Sequence, residues 1–358
     1  MIVVRAPFRL PLGGGGTDLP SYYHKYEGFL ITAAINKYMY ININEHAIIN
    51  KIKINYSKVE IIDVDKINEL KHEIVRESLK HLKIKRPLEI SSMADLSAGT
   101  GMGSSSSYTV ALLQGLNSML RRHIPIKDLA EEACKVEIEL IGKPIGKQDQ
   151  YAAAFGGIIQ LDIDKLGNVI VTQLKIDNEI VYELENRLMM FYTNIERDAN
   201  EILGEQSSKI ESSREYVVVS REDGGNKESV VSSQQSLEKS ENSTLEAMHR
   251  IKEIGYEVKE ALIKGDVCAF GKLLNEHWLV KKSISEKMSN SQIDKWYELA
   301  LANGALGGKV MGAGGGGFLL FCVSNGKRKH LRKTLEDAGL KYMDFKFDWE
   351  GVKTLVNI

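Results

Sequence analysis

The order of apolar and polar residues predicts both strands and helices in the first third of the chain. Apolar and polar residues alternate over residues 38–62, and this period of two is typical of paired strands. Over residues 67–82 the spacing becomes helical, so we expect a helix there. The stretch LEISSM, which follows Pro87, predicts another strand, and this strand leads into a serine-rich loop.

Two more helices are predicted before the middle of the chain. Residues 104–120 are apolar nearly all round, which indicates a helix buried within its domain. Residues 127–141 predict a second helix, because Gly142 and Pro144 follow closely and these residue types are frequent just after the end of a helix. The serine-rich loop therefore runs directly into a buried helix.

The second half of the chain has a different character. The segment FGGIIQLDIDKLGNVIVTQLKI resembles a hairpin, and RLMMFYTN predicts a strand. Residues 205–245 are rich in Ser, Glu, Lys and Gln, which indicates either a mobile insertion or helix with long exposed faces. Two or three helices, the strand FLLFCV and a final helix and strand should follow. This irregular order favours an α+β protein of two domains, residues 1–185 and 186–358.

Length and charge narrow the class of protein. A chain of 358 residues exceeds the usual size of one core, which also favours two domains. The net charge of −1 and the pI near 6.7 argue against nucleic acid or a membrane surface as the main partner, because both require a basic excess. No apolar run reaches about 18 residues, the length of a membrane span. The three separated cysteines indicate buried thiols, so we expect a cytoplasmic protein.

Three glycine-rich stretches are the strongest candidates for a ligand site. They are PLGGGGTD at 11–18, SAGTGMGSSSS at 97–107 and GAGGGG at 312–317. Glycine tolerates positive φ and lets the backbone approach a ligand closely. Turns and bulges explain many single stretches of this kind, but three in one chain favour a shared cleft.

Two familiar nucleotide-binding patterns do not fit these stretches. None of them contains the Walker A sequence GxxxxGK[ST]. Residues 312–317 satisfy GxGxxG, but they run into the strand FLLFCV, whereas a dinucleotide-binding loop opens a helix. The catalytic motifs of protein kinases do not occur in the sequence either. A nicotinamide-dependent oxidoreductase is therefore a poor interpretation.

The central stretch has the features that a polyphosphate site requires. Its four serines open the predicted buried helix, whose first N–H groups are unpaired and whose dipole end is positive. Such an end binds phosphate without a lysine, and a serine there can also ligate Mg²⁺. The serines could instead only cap the helix, but one serine is enough for a cap. We therefore predict a phosphate loop.

With these motifs the sequence resembles the GHMP small-molecule kinases, which include galactokinase, homoserine kinase and mevalonate kinase. APFRLPLGGGGTD is similar to their first motif, GTGMGSSSS to the second and KVMGAGGGGFLLF to the third, in order over essentially the whole chain. The resemblance implies an N-terminal domain similar to ribosomal protein S5 domain 2 and a ferredoxin-like C-terminal domain. ATP and substrate would bind between them.

Within the family, GGGGTDLPSYY and HWLVKKSIS look most like the D-glycero-D-manno-heptose 7-phosphate kinases. This resemblance implies phosphate transfer from ATP to the anomeric C1 hydroxyl of a sugar phosphate, a step towards nucleotide-activated heptose. The alternatives are a kinase for fucose, galactose or mevalonate, and a non-catalytic nucleotide or sugar sensor. Either a monomer or a homodimer is compatible with the sequence.

The resemblance also implies catalytic and nucleotide-binding residues. Asp149 would accept the proton of the substrate hydroxyl, although an aspartate here could simply cap a helix. Arg9 would place a positive charge beside it, and could otherwise be a surface ion-pair partner. Glu137 and Ser105 would ligate Mg²⁺, the expected cofactor. The expected ATP-binding residues are Gly99, Thr100, Gly101, Gly103, Ser104, Ser105 and Ser106.

The acceptor would contact both halves of the chain. Asp18 resembles the family's aspartate that holds sugar hydroxyls, unless it only forms an Asx-turn. The acceptor-binding candidates around it are Gly16 and Thr17. A phosphate on the sugar requires basic residues from the C-terminal half, although charged side chains there are often simply exposed. The candidates for this role are Arg197, Lys281 and Lys282. Residues 312–317 are expected to support the phosphate loop.

Overall fold

The computed structural model describes residues 1–195, 199–212 and 234–358. Arg197 lies outside the described residues, as does the central part of the predicted insertion at 205–245. The described ends of that insertion are helical. Among the described helices, none combines the length and the apolar composition needed to cross a membrane.

The described elements alternate irregularly along the chain. The strands are β1 (Ile2–Gly13), β2 (Gly28–Glu45), β3 (Lys51–Asn55), β4 (Val59–Asp63), β5 (Leu88–Ala94), β6 (Ile158–Ile163), β7 (Val169–Gln173), β8 (Leu188–Tyr192), β9 (Ala305–Val310), β10 (Phe318–Val323), β11 (Lys341–Met343) and β12 (Lys353–Asn357). The α-helices are α1 (Pro20–Tyr26), α2 (Glu73–His81), α3 (Ser104–Met119), α4 (Ile126–Cys134), α5 (Gln148–Phe155), α6 (Asn178–Arg187), α7 (Ala199–Ser212), α8 (Gln234–Lys264), α9 (Val267–Ile284), α10 (Ser291–Ala302) and α11 (Arg328–Asp337). The predicted α+β class is confirmed.

The first sheet has eight strands and is organised around the long strand β2. Strand β1 pairs with β2 in antiparallel register, while β6 pairs with the first part of β2 and β5 with its last part. The buried helix α3 packs closely on this sheet. A side-chain carbon added at Gly115 would lie 2.8 Å from Cδ1 of Ile43 on β2, so the glycine permits the contact.

The second sheet has four antiparallel strands in the order β11-β8-β10-β9. In chain order these are the fourth, first, third and second strands, with helices after the first and third. This is the ferredoxin-like arrangement that the family resemblance implies. Helix α9 lies against β9 at Gly307, where an added side-chain carbon would overlap the backbone of Gly271. The two backbones therefore approach closely.

The last strand belongs to the first sheet, although the predicted division assigns its residues to the second domain. Strand β12 pairs with β1, which places residues 353–357 in the first sheet. The chain therefore leaves the first sheet after β7, builds the second sheet, and returns. The division into residues 1–185 and 186–358 stays a prediction, and the pairing of β12 with β1 was not foreseen because strand pairing between segments so far apart leaves no local pattern in the sequence.

Three local predictions are corrected by the structure. The helix expected over 67–82 is divided into a 3₁₀ segment, Val64–Glu69, and α2, whose cap His72 accepts from the Val75 N–H. The helix expected over 127–141 is α4 followed by a π-helical segment, Lys135–Leu140. Cys268 is exposed, whereas the other two cysteines are buried as expected.

Candidate active site

All three glycine-rich stretches meet at one cavity of about 320 Å³. Its wall combines β1, the loop before α3, the loop before α5, and α7, α9 and β9. The predicted site residues in this wall are Arg9, Gly16, Asp18, Gly99, Gly101, Gly103, Ser104, Ser105, Ser106 and Asp149. The shared cleft expected from the glycine pattern is therefore present.

The predicted phosphate loop has the backbone form of an anion site. Gly99, Gly101 and Gly103 all have positive φ, and Gly103 is the left-handed residue that directly precedes α3. No side chain caps this helix, so Ser104 and Ser105 in its first turn are not used as the cap. The free N–H groups at the helix start are thus available to an anionic ligand.

The third glycine stretch supports the phosphate loop by direct backbone contact. A side-chain carbon at Gly101 would lie 2.7 Å from the Met311 carbonyl oxygen, and one at Gly312 would lie 2.8 Å from Cα of Gly101. An added carbon at Gly317 would overlap the carbonyl of Thr100. The glycines therefore let two chain segments touch, and this agrees with the supporting role expected for them.

Arg9 and Asp149 form the best-defined charged pair in the cavity. Arg9 Nε donates to Asp149 Oδ1 at 2.6 Å, and Nη2 donates to Oδ2 at 2.9 Å. The third nitrogen, Nη1, donates to the Gly101 carbonyl at 2.6 Å. Lys147, not Asp149, is the cap residue of α5, so Asp149 does not serve as the cap. The bidentate geometry fixes the carboxylate beside the phosphate loop.

Asp18 lies on the same wall and is held by backbone donors. It accepts hydrogen bonds from the N–H of Gly16 and the N–H of Gln148, each at 3.0 Å. Burial raises the pKa of Asp18, and the charge of Asp149 acts in the same direction, while the backbone donors oppose both. Gly146 contacts Asp18 so closely that a side chain there would overlap the carboxyl group.

Three of the predicted residues lie behind or outside the cavity wall. Thr17 is buried, and its hydroxyl donates to backbone carbonyls of Gly14 and Phe29. Thr100 donates to the Ser97 carbonyl. Lys282 forms an ion pair with Asp294 at 2.7 Å. Their ligand-binding roles stay predictions, and the described contacts of all three are made within the protein.

The predicted metal ligands meet at one end of the phosphate loop. Glu137 is fully buried in the π-helical segment and accepts hydrogen bonds from the Ser105 hydroxyl and, at 2.9 Å, from Gln150. Lys143 donates to Ser105 Oγ at 2.6 Å and to Glu137 Oε1 at 2.9 Å. Ser105 and Lys143 belong to the cavity wall, whereas Glu137 lies behind them.

A divalent cation fits this arrangement chemically. The carboxylate and the hydroxyl are oxygen donors of the kind that Mg²⁺ takes, and the Lys143 ammonium shows that they already hold positive charge. Within the described part of the chain no three His, Cys, Asp or Glu side chains gather into a metal site. Mg²⁺ bound by Glu137 and Ser105 would therefore complete its shell with water and phosphate oxygens.

The structure also adds cavity cations that the motifs did not identify. Lys143 and Lys309 line the cavity, together with Lys281, one of two adjacent lysines considered for a phosphate. Lys281 donates to the Gly312 carbonyl at 2.5 Å. Burial lowers the pKa of Lys281 to about 8 and that of Lys309 well below its usual value. Lys309 is the first residue of KVMGAGGGGFLLF, the stretch similar to the third family motif, but no role was assigned to it from the sequence.

Comparisons with known proteins agree with this geometry. Two family models match the chain, GHMP kinases N terminal domain over residues 69–157 and GHMP kinases C terminal over residues 258–339. The D-glycero-alpha-D-manno-heptose 7-phosphate kinase of Campylobacter jejuni is 32% identical over 99% of this chain and 98% of its own. A galactokinase of Pyrococcus furiosus is 27% identical over 98% of this chain and 96% of its own.

Solved structures give the same result. The crystal structure of a D-glycero-D-manno-heptose 1-phosphate kinase from Bacteroides thetaiotaomicron has a TM-score of 0.75 and 26% identity, covering 100% of both chains. The galactokinase of Lactococcus lactis, complexed with galactose, has a TM-score of 0.73 and covers 99% of this chain and 94% of its own. At 18% identity it supports the fold alone. The chain therefore belongs to the GHMP kinase family and is an ATP-dependent kinase.

Proposed function

We propose that this protein transfers a phosphoryl group from ATP to the anomeric C1 hydroxyl of a sugar phosphate, D-glycero-D-manno-heptose 7-phosphate. The observation that carries the proposal is the position of Asp149, fixed by Arg9 between the phosphate loop and Asp18. The full-length similarity to a heptose 7-phosphate kinase supports the choice of acceptor.

The residues divide into a donor side and an acceptor side. The N–H groups at the start of α3 and the serines beside them would bind the ATP phosphates, and Ser105 with Glu137 would hold Mg²⁺. When bound, this ion would neutralise charge on the phosphates. Asp18 would accept hydrogen bonds from sugar hydroxyls. Asp149 lies beside both sides, and this position supports a role in the reaction itself.

The reaction then requires little covalent chemistry from the protein. The C1 oxygen would form a bond to the γ-phosphorus as the bond between that phosphorus and the bridging oxygen of ADP breaks. Asp149 would accept the hydroxyl proton, and Arg9 would hold the carboxylate in position through both of its oxygens. The products would be the 1,7-bisphosphate and ADP. We expect a monomer or homodimer acting in the cytoplasm.

The test is an ADP-release assay with Mg-ATP and a panel of acceptors. The panel contains heptose 7-phosphate, free heptose, fucose, galactose and mevalonate, each with the wild-type protein and with Asp149→Asn. We expect turnover of heptose 7-phosphate, reduced about 10²- to 10⁴-fold by the substitution. Turnover of only another acceptor would reject heptose 7-phosphate as the substrate. Full activity of Asp149→Asn would reject Asp149 as the proton acceptor. ATP binding without turnover of any acceptor would favour a non-catalytic nucleotide or sugar sensor.

A further inference from the structure

Three basic side chains on α9 and β9 lie beside the cavity without a carboxylate partner in the described part of the chain. Lys281 contacts only a backbone carbonyl, that of Gly312. Lys309 is 1% exposed and lines the cavity, and its side chain makes no hydrogen bond or ion pair with any described residue. His277 is fully buried, and neither of its ring nitrogens has a hydrogen-bond partner among the described groups.

This arrangement is costly for the protein on its own. A buried ammonium without a counter-charge loses its hydration and gains no ion pair in return. Burial and the neighbouring ammonium groups lower the pKa of Lys309 and of His277. Three charged groups of the opposite wall act on Lys281: Arg9 repels its ammonium group, and the carboxylates of Asp18 and Asp149 attract it.

The remaining charges of the cavity do not offset these lysines. Asp149 is engaged through both oxygens by Arg9, and Lys143 is paired with Glu137. Asp18 is held by two backbone N–H groups and has no cation at hydrogen-bonding distance among the described residues, so it is the one carboxylate of the described wall left to attract Lys281 from further away. One carboxylate does not balance two ammonium groups that line the cavity, so these groups form a site for an anion, which the ligand must supply.

We propose that Lys281 and Lys309 bind a phosphate group carried by the acceptor. The ligand class is a phosphomonoester dianion, whose charge and multiple oxygens suit two ammonium groups. This inference rests on the proposed function and deepens it, because it gives the acceptor's own phosphate a place.

The chemistry alone is compatible with two sources of phosphate, the acceptor or the γ-phosphate of ATP. The acceptor is favoured because Lys281 is within electrostatic reach of Asp18 and Asp149, the two carboxylates expected to contact the acceptor, as well as of Arg9. The donor side already has its own cation, Lys143, together with the N–H groups of the phosphate loop. Lys281 and Lys309 come instead from the second sheet and the helix packed on it.

The test compares ligand binding by the wild-type protein and Lys309→Met, which keeps the side-chain volume and removes the charge. The control is Lys272→Met, an exposed lysine on the same helix as Lys281. Calorimetry would measure the dissociation constants of heptose 7-phosphate, mannose 6-phosphate, free heptose and the ATP analogue AMP-PNP. A thermal melt of each variant shows that it is folded.

We expect Lys309→Met to raise the dissociation constants of both sugar phosphates about 10- to 100-fold, which is the effect of losing one charge-assisted hydrogen bond. Free heptose and AMP-PNP should change less than about 3-fold, and Lys272→Met should change nothing. Weakening of AMP-PNP alone would assign the lysines to the donor phosphate and overturn the proposal, as would no change at all. Dependence of mannose 6-phosphate binding on Lys309, without turnover of heptose 7-phosphate, would keep this inference and reject the proposed acceptor.

Discussion

The two walls of the cavity differ in whether their cationic side chains have a carboxylate partner. On the N-terminal wall, formed by β1, α3, α5 and the loops before α3 and α5, both cations have carboxylate partners: Arg9 pairs with Asp149, and Lys143 pairs with Glu137 behind the wall. On the C-terminal wall, formed by α9 and β9, Lys281 and Lys309 face no carboxylate within hydrogen-bonding distance among the described residues. The side chains of Asp149 and Lys143 are 21% and 18% exposed, whereas Lys281 and Lys309 are buried, so solvent does not compensate for the missing partners of the two lysines.

The difference indicates which groups the fold itself holds in place. Paired groups are fixed before any ligand arrives, as general base and loop positions require. Unpaired buried cations reduce stability instead, and they gain their partner only when an anion binds. The comparison therefore separates preorganised groups, to which we assign a role in catalysis, from groups that we propose bind the ligand, and each of the following measurements tests one side of it.

The largest effect is expected from breaking the pair on the N-terminal wall. In Arg9→Met the Asp149 carboxylate loses both of its donors and the Gly101 carbonyl loses one. We expect kcat to fall about 100-fold or more, since each charge-assisted hydrogen bond contributes roughly 1.5–3 kcal/mol. Arg5→Met is the control, because Arg5 is on the same strand but pairs with Glu350 away from the cavity. Equal losses in both variants would contradict the assignment.

The next effect is on stability and has a defined pH dependence. Because the pKa of Lys309 is lowered from its usual 10.5, the folded protein binds fewer protons than the unfolded chain below that pH. The wild type is therefore destabilised near neutral pH, and Lys309→Met should raise the free energy of unfolding by roughly 1–3 kcal/mol. Chemical denaturation should show this gain shrinking towards pH 10.5. A loss of stability at pH 7 would show that Lys309 has a partner.

Lys281 should affect the pH dependence of stability in a narrower range, because the pKa of its ammonium group is lowered only to about 8. Its contribution to instability is constant below pH 8 and disappears between pH 8 and the usual lysine value of 10.5. Binding of a sugar phosphate should return the proton, since a nearby dianion favours the charged ammonium. Calorimetry at pH 8 in buffers of different ionisation enthalpy should therefore detect proton uptake, and none with free heptose.

A smaller effect is expected at the predicted metal site. The Lys143 ammonium contacts both Ser105 and Glu137, so it must compete with any divalent cation for them. In Lys143→Met, Mn²⁺ should bind about 10-fold more tightly without nucleotide, a difference of about 1.4 kcal/mol. Electron paramagnetic resonance of free Mn²⁺ would measure it. Lys147→Met, whose lysine pairs with Glu131, is the matched control, and weaker Mn²⁺ binding in Lys143→Met would show cooperation instead.

The smallest effect is expected for Lys282→Met, which tests whether Lys282 contacts the ligand as its neighbour Lys281 is proposed to do. Lys282 is partly exposed and pairs with Asp294, so Lys282→Met should lower stability by at most about 1 kcal/mol. The KM for heptose 7-phosphate should change less than 2-fold. A large rise in KM would show that Lys282 reaches the ligand and would support the expectation drawn from the sequence.

Much of the N-terminal wall could be predicted from the sequence because its residues lie within contiguous motifs. The phosphate loop and Asp18 lie in glycine-rich stretches, and Arg9 lies two residues before one; the structure places them in one cavity with Asp149, which the family resemblance implied. Glu137 was reached through the family resemblance, although the π-helical segment that buries it has no signal in the residue pattern.

The C-terminal wall was harder to predict because it depends on side-chain direction and distant pairing. Lys281 and Lys282 are neighbours in sequence but lie about 100° apart around the helix, so a basic pair does not show which member faces a cavity. Lys309 is on a strand that the pattern did not predict, and its burial follows from packing against α9. The return of β12 to the first sheet likewise depends on a contact between distant segments.

The contact between Gly101 and Gly312 has a consequence for how this protein can vary. The two positions lie in different motifs and both have positive φ; a side chain at Gly312 would clash with Gly101, and one at Gly101 would clash with the Met311 carbonyl that precedes Gly312. In a library of random variants, both positions should therefore tolerate almost no replacement. Because the same contact is lost either way, a double replacement should be scarcely worse than a single one. Two distant codons would then behave in selection as a single site.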